Sequence, residues 1–154
     1  MMPLDKAGSV GSPATVVYAA ELSAPAILDA IRAGHVFIDV AGTSNRILDV
    51  KVQSGDRVLH AGDLLKVPNG STVTLEAQVE AAAGGTLHWI DNGSEIVASV
   101  ANLSSNDQSS SFVWKSDGAR HWLRAEVRGS DGKLWLIGNP LYVNWGTQNE
   151  CPAK

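Results

Sequence analysis

Cysteine is almost absent. The 154 residues hold one, Cys151, in the polar ending GTQNECPAK. A single thiol excludes an internal disulfide and a cysteine-based zinc site, so the sequence leaves the compartment open. Basic blocks are absent too. Twelve Lys and Arg against sixteen Asp and Glu leave a formal charge of −4, with the cations scattered singly. That pattern argues against nucleic acid or an acidic membrane as the main partner. No apolar run reaches the length of a membrane span. The beginning, MMPLDKAGSV, lacks a charged segment followed by an apolar one, so the expectation is that no signal peptide lies here. A periplasmic or secreted parent would carry its signal upstream.

Catalytic motifs are also missing. The four histidines, His35, His60, His88 and His121, never fall at His-x-His or at a spacing of three to five. A catalytic zinc needs about three converging protein ligands. No Ser lies in a Gly-x-Ser-x-Gly elbow, and GSVGS (Gly8–Ser12) neither follows a strand nor opens a helix. Asp56 and Asp63 follow glycines in bends, and no stretch matches an EF-hand, so Asp39, Asp49, Asp56 and Asp63 read as turn chemistry.

What is present divides at about residue 40. Residues 1–11 read as a loop. Thr15–Ala19 (TVVYA) predicts a strand. A helix follows with explicit punctuation: Ser23 as N-cap, Pro25 in the first turn and Gly34 to end it. Leu22 is placed to staple onto Ile27. Ile27, Leu28 and Ile31 form an apolar stripe. A helix of about three turns is unstable alone, so the stripe is expected to pack on the following sandwich or on a neighbour. HVFIDV then starts a second strand.

From residue 46 the period becomes two. Leu48, Val50 and Val52 share one face of RILDVKV, and Val73, Leu75, Ala77 and Val79 one face of TVTLEAQVE. Asn92-Gly93 suits a type I′ hairpin turn, which would set Trp89 opposite Ile96 and Leu87 opposite Ala98. NLSSNDQSSS (Asn102–Ser111) reads as a polar loop. Strands with Gly, Asn, Asp and Ser between them indicate a mainly β chain: an antiparallel immunoglobulin-like β-sandwich over residues 41–145, preceded by the strand-helix-strand of 12–40, with a tail at 146–154. No Cys…Trp…Cys framework is present, so the likeness to immunoglobulins is architectural only.

Five tryptophans divide by parity. Trp89 and Trp114 alternate with core positions. In HWLRAEVR, Leu123, Ala125 and Val127 face one way, and Trp122, Arg124, Glu126 and Arg128 the other. A turn through Asp131-Gly132 would bring Trp135 onto the Trp122 face. Two aromatics among cations suit a covered face or a stacking platform. The face Trp122, Arg124, Arg128 and Trp135 is therefore the candidate interdomain or ligand surface.

Two stretches carry a family likeness. GSPATVVYAAELSAPAILDAIRAGHVFI resembles the segment that ends the catalytic domain in PHP-type (polymerase and histidinol phosphatase) metal-dependent hydrolases, nearest to the carbaryl-hydrolase-like branch. NPLYVNW resembles the Asn-Pro-aliphatic-Tyr-Val ending of the same bacterial proteins. The likeness spans Gly11 to Trp145. It implies a barrel-derived segment followed by an accessory β-sandwich, and a parent phosphoesterase or esterase using divalent metal ions. The family's ligands, a His-x-His and a late Asp-x-His, are missing here, since Asp5 is followed two residues on by Ala7. The expectation is a chain with no catalytic residue, metal ligand or cofactor of its own, partnered by the parent's catalytic domain. The alternative is an autonomous module that binds a saccharide or peptide through Trp122, Trp135 and Arg124.

Overall fold

The computed structural model describes residues 12–54 and 57–146. The expected loop at 1–11, the tail beyond Gly146 with Cys151, and the Gly55-Asp56 bend lie outside the described residues. The described chain is a β-sandwich with one helix.

In chain order the elements are β1 (Ala14–Val17), α1 (Ala24–Ala33), β2 (Val36–Asp39), β3 (Ile47–Ser54), β4 (Arg57–His60), β5 (Leu64–Leu65), β6 (Thr72–Glu80), β7 (Thr86–Asp91), β8 (Ser94–Glu95), β9 (Ala101–Asn102), β10 (Asp107–Lys115), β11 (His121–Arg128), β12 (Leu134–Gly138) and β13 (Leu141–Val143). One sheet runs β10-β6-β3-β4. The other centres on β11. β12 and β13 pair with successive halves of one edge of β11, and β7 with its opposite edge. β2 and then β1 extend the sheet beyond β12, while β8 and β9 flank β7. All pairings are antiparallel except the short β5–β13 contact.

Alternation builds the core. Leu48, Val50, Val52, Leu75, Ala77 and Val79 point inward from one sheet, and Leu87, Trp89, Leu123, Val127 and Leu136 from the other. Trp89 is wholly buried, 0% exposed. Burial of this interdigitated apolar surface is the main stabilising term of such a fold.

The opening segment joins this sheet. β1 and β2 pair antiparallel, with Val17 opposite Val36, and the ladder continues through the Tyr18 N–H to His35 carbonyl bond of 2.9 Å. β2 in turn pairs with β12, Ile38 opposite Ile137. The helix is thus an excursion between adjacent hairpin ends, not the crossover of a parallel βαβ unit.

The caps of α1 are as the sequence predicts. Ser23 is extended (φ −135°), and its hydroxyl accepts from the Ala26 N–H at 3.3 Å. Gly34 is left-handed (φ 79°), with its N–H donating to Ile31 O and the His35 N–H to Ala30 O, the paired bonds of a Schellman ending. The staple is not formed, because Leu22 is 98% exposed.

Three details depart from the sequence pattern. Asn92 (φ 48°) and Gly93 (φ 89°) make the expected turn. The Ile96 N–H reaches the Trp89 carbonyl, but a 3₁₀ turn at Val97–Ser99 then shifts the return, so Leu87 pairs with Ala101 instead of Ala98. The loop expected at Asn102–Ser111 is strand from Asp107 onward, zipped to β6 with Ser110 opposite Ala77. Trp135 is skipped in the ladder: Val127 pairs with Leu136 and Arg128 with Leu134. That bulge sends Trp135 away from its expected face.

Candidate functional site

The outer face of the β11 sheet brings together part of the expected set. Glu126 is 3% exposed and lies between two arginines. Its Oε1 accepts from Arg124 Nε at 2.9 Å and Nη2 at 2.5 Å, and its Oε2 from Arg128 Nη2 at 2.9 Å. Arg128 Nη1 continues to Glu95 at 2.8 Å. The hydrogen bond and charge of Glu126 outweigh the opposing effect of burial and raise the Arg128 pKa above its ordinary value. A buried carboxylate is costly unless bonded on both oxygens, and here it is. His88 sits beside the network with Nε2 2.8 Å from Thr86 Oγ1. Its Nδ1 lies 3.1 Å from Glu95 Oε2 but is not aligned for a hydrogen bond. The two arginines are therefore occupied by carboxylates of their own sheet.

Trp122 stays on this face, half-buried, with the Arg124 guanidinium 5.4 Å from its ring centre. Trp135 does not join it. A Cβ on Gly129 would come within 2.5 Å of the Trp135 ring, and one on Gly85 within 3.0 Å. Gly85 and Gly129 share strand parity with inward-facing Leu87 and Val127, so the ring is tucked under the sheet against the core. Arg46, just before β3, covers it at 4.2 Å. The expected two-tryptophan platform is not assembled.

The helix stripe is only partly covered. The side of α1 turned toward the sandwich carries Ala26, Ala30 and Ala33, which line a cleft shared with Leu48 and Val50 of β3. Ile27 is half-buried, while Leu28 and Ile31 are 49% and 48% exposed. The helix is fastened mainly at its end. Asn139 Nδ2 donates to Gly34 O at 2.8 Å, the Gly62 N–H to Pro140 O at 2.8 Å, and the Asn139 N–H to Val36 O at 3.3 Å. Asn139-Pro140, the start of the NPLYVNW stretch, thus forms the corner that holds the helix terminus.

Sequence reasoning missed a polar group at the cleft, because its members come from separate turns. His35 Nε2 lies 3.1 Å from Asp63 Oδ1, and Asp63 Oδ2 accepts the His60 N–H at 2.8 Å. The His35 and His60 rings are 6.0 Å apart. Asp49 Oδ2 pairs with Lys51 at 2.7 Å, while its Oδ1 is 3.6 Å from His60 Nδ1, too far for a hydrogen bond. The Tyr18 phenol is raised above its ordinary pKa by burial, then by Asp49 and Glu80, against a Leu48 backbone hydrogen bond. It stays a protonated hydroxyl at neutral pH.

A second histidine is pinned at the far end of β11. His121 Nδ1 meets Asp91 Oδ1 at 2.6 Å and its Nε2 meets Asp117 Oδ1 at 3.0 Å. Trp114 packs edge-on to the ring and donates to Asp91 Oδ2 at 3.3 Å. Among the described residues no group of three or more His, Cys, Asp or Glu is arranged to hold a metal ion, and no helix is long and apolar enough to cross a membrane.

No protein-family model matches the chain, and no curated protein matches it.

Proposed function

We propose that this chain is an accessory β-sandwich that docks on and supports the catalytic domain of a PHP-type metal-dependent hydrolase, with no catalytic step of its own. One observation carries the reading. Apolar side chains are left uncovered on and beside α1, with Leu22 98%, Leu28 49% and Ile31 48% exposed. They fall within the segment resembling the end of the PHP catalytic domain. A patch of this kind marks a contact surface when its members are contiguous and large. The parent chemistry would be attack of a metal-activated water on an ester or phosphoester, and the metal ligands would come from the partner domain.

The carbohydrate- or peptide-binding alternative has less support. Its platform needs Trp122 and Trp135 side by side with free cations, whereas Glu126 occupies Arg124 and Arg128 and Trp135 lies beneath the sheet.

Two measurements test the proposal. The purified chain should give no chelator-sensitive turnover of phosphodiester or aryl-ester substrates; robust turnover would contradict it. The reading frame directly upstream should encode His-x-His and Asp-x-His motifs, and its product should co-purify with this chain. Leu28→Asp with Ile31→Asp should abolish that co-purification. A frame without those motifs overturns the proposal.

A further inference from the structure

The helix does not close onto the sandwich. Between its alanine side and the first half of β3 lies a cleft of about 640 Å³. Protein interiors normally fill such space, because unfilled gaps forfeit dispersion contacts on both walls. Here the helix offers the methyl groups of Ala26, Ala30 and Ala33, together with the exposed Asp29, toward the stretch of β3 at Leu48, Asp49 and Val50. The volume falls in the range of small-molecule sites, about 300–1,000 Å³. Such sites combine an apolar body with a few convergent polar groups, and this cleft has them in Tyr18, Asp49, His35 and His60.

The charge pattern selects the ligand. Arg32 is taken by Asp29 and Lys51 by Asp49 Oδ2. Asp49 Oδ1 lies beyond hydrogen-bond distance of His60, Asp63 stands behind the two histidines, and Glu80 adds negative potential at the Tyr18 hydroxyl. An anion would meet these carboxylates first. A neutral apolar molecule would fill the methyl end but desolvate Asp49 Oδ1, since only Oδ2 is closely paired, with Lys51. An ammonium satisfies the carboxylate and sits well beside an aromatic ring.

We propose that this cleft binds a small amine with an apolar ring or chain, its ammonium held at Asp49 and Tyr18 and its body against the alanine side of α1. The site is separate from the outward Leu28–Ile31 surface and does not depend on the accessory-domain reading.

Titration of the purified chain with 2-phenylethylamine, 2-phenylethanol and phenylacetate, followed by amide NMR shifts, tests it. The amine should give saturable shifts at Ala26, Ala30, Leu48 and Val50. Asp49→Asn should weaken the amine about tenfold or more and leave the alcohol unchanged. Ala26→Phe, at a half-buried position of the cleft wall, should abolish binding of both; Ala33→Leu serves if that variant fails to fold. Phenylacetate binding as tightly as the amine, an Asp49→Asn variant with unaltered affinity, or no saturable shift at about 10 mM amine would each overturn the proposal.

Discussion

A single methyl group at Gly62 probes how helix and sandwich are joined. Gly62 has φ +96°, and a Cβ there would lie 2.7 Å from the Gly34 carbonyl carbon and oxygen and closer still to the Ala33 carbonyl oxygen. These are backbone atoms of the helix ending and cannot rotate aside. Two costs therefore add for Gly62→Ala. A left-handed backbone costs an alanine about 1–2 kcal/mol, and forcing extra volume into a packed contact costs about 1–3 kcal/mol. The sum, ~2–5 kcal/mol, is a large share of the roughly 5–15 kcal/mol that holds a domain folded. At about 2–4 °C per kcal/mol, the melting midpoint should fall by roughly 4–20 °C. Gly70 is the control, with φ +79° and nothing within 4 Å of its Cβ. Gly70→Ala carries only the first cost. Urea and thermal unfolding followed by tryptophan fluorescence should show Gly62→Ala losing about 1–3 kcal/mol more than Gly70→Ala. Equal losses in the two variants would refute the end-fastened helix.

Three further outcomes are expected. Burial alone would raise the Asp39 carboxyl, but bonds from the Thr43 hydroxyl and backbone, Ala41 and Ser44 hold it below its ordinary value; its stabilisation is present above the unfolded value near 3.9 and lost as pH falls through the folded one, so Asp39→Asn should flatten the acid limb of a urea-midpoint profile below about pH 4 and cost about 1–3 kcal/mol at neutrality. Burial would lower His121, yet Asp91 and Asp117 raise it above 6.5; that stabilisation is full below the unfolded value and lost as pH rises through the folded one, so His121→Gln should remove a decline in urea midpoint as pH rises above about 6.5. Leu28→Gln and Ile31→Gln, at half-exposed positions, should each cost no more than about 1 kcal/mol in thermal unfolding, and a larger loss would mean that the stripe packs within this chain.

What the sequence disclosed was local. Ser23, Pro25 and Gly34 act through atoms a few residues away, so the caps of α1 could be read directly. The wet-face alternation of β3 and β6 could be read for the same reason: burial of Leu48, Val50, Leu75 and Ala77 follows parity. Misreadings arose where a distant partner decides. β10 begins inside a polar stretch because Gln108 and Ser110 occupy its inward positions at the sheet end, where pairing with β6 replaces hydrophobicity as the ordering force. Trp135 obeys parity only until the bulge opposite Val127 and Arg128. The Arg-x-Glu-x-Arg spacing around Glu126 was a usable sign of a self-neutralised face, since residues two apart in a strand share a side. The cleft had no such sign: Tyr18, His35, Asp49 and His60 come from four separate elements or turns.

Side-chain size on α1 separates two roles that a hydrophobic pattern merges. A helix serving only to seal a sheet edge would turn its largest apolar residues inward. Here the inward side is alanine over a cleft, while Leu28 and Ile31 point outward. What secures the helix is its terminus, through Gly34, Gly62 and the Asn139-Pro140 corner. Anchorage at one end leaves both long sides available, one open toward β3 and one toward solvent. Substitutions at the end should therefore register in folding, and substitutions along the sides in binding, a division that a helix packed by its flank would not show.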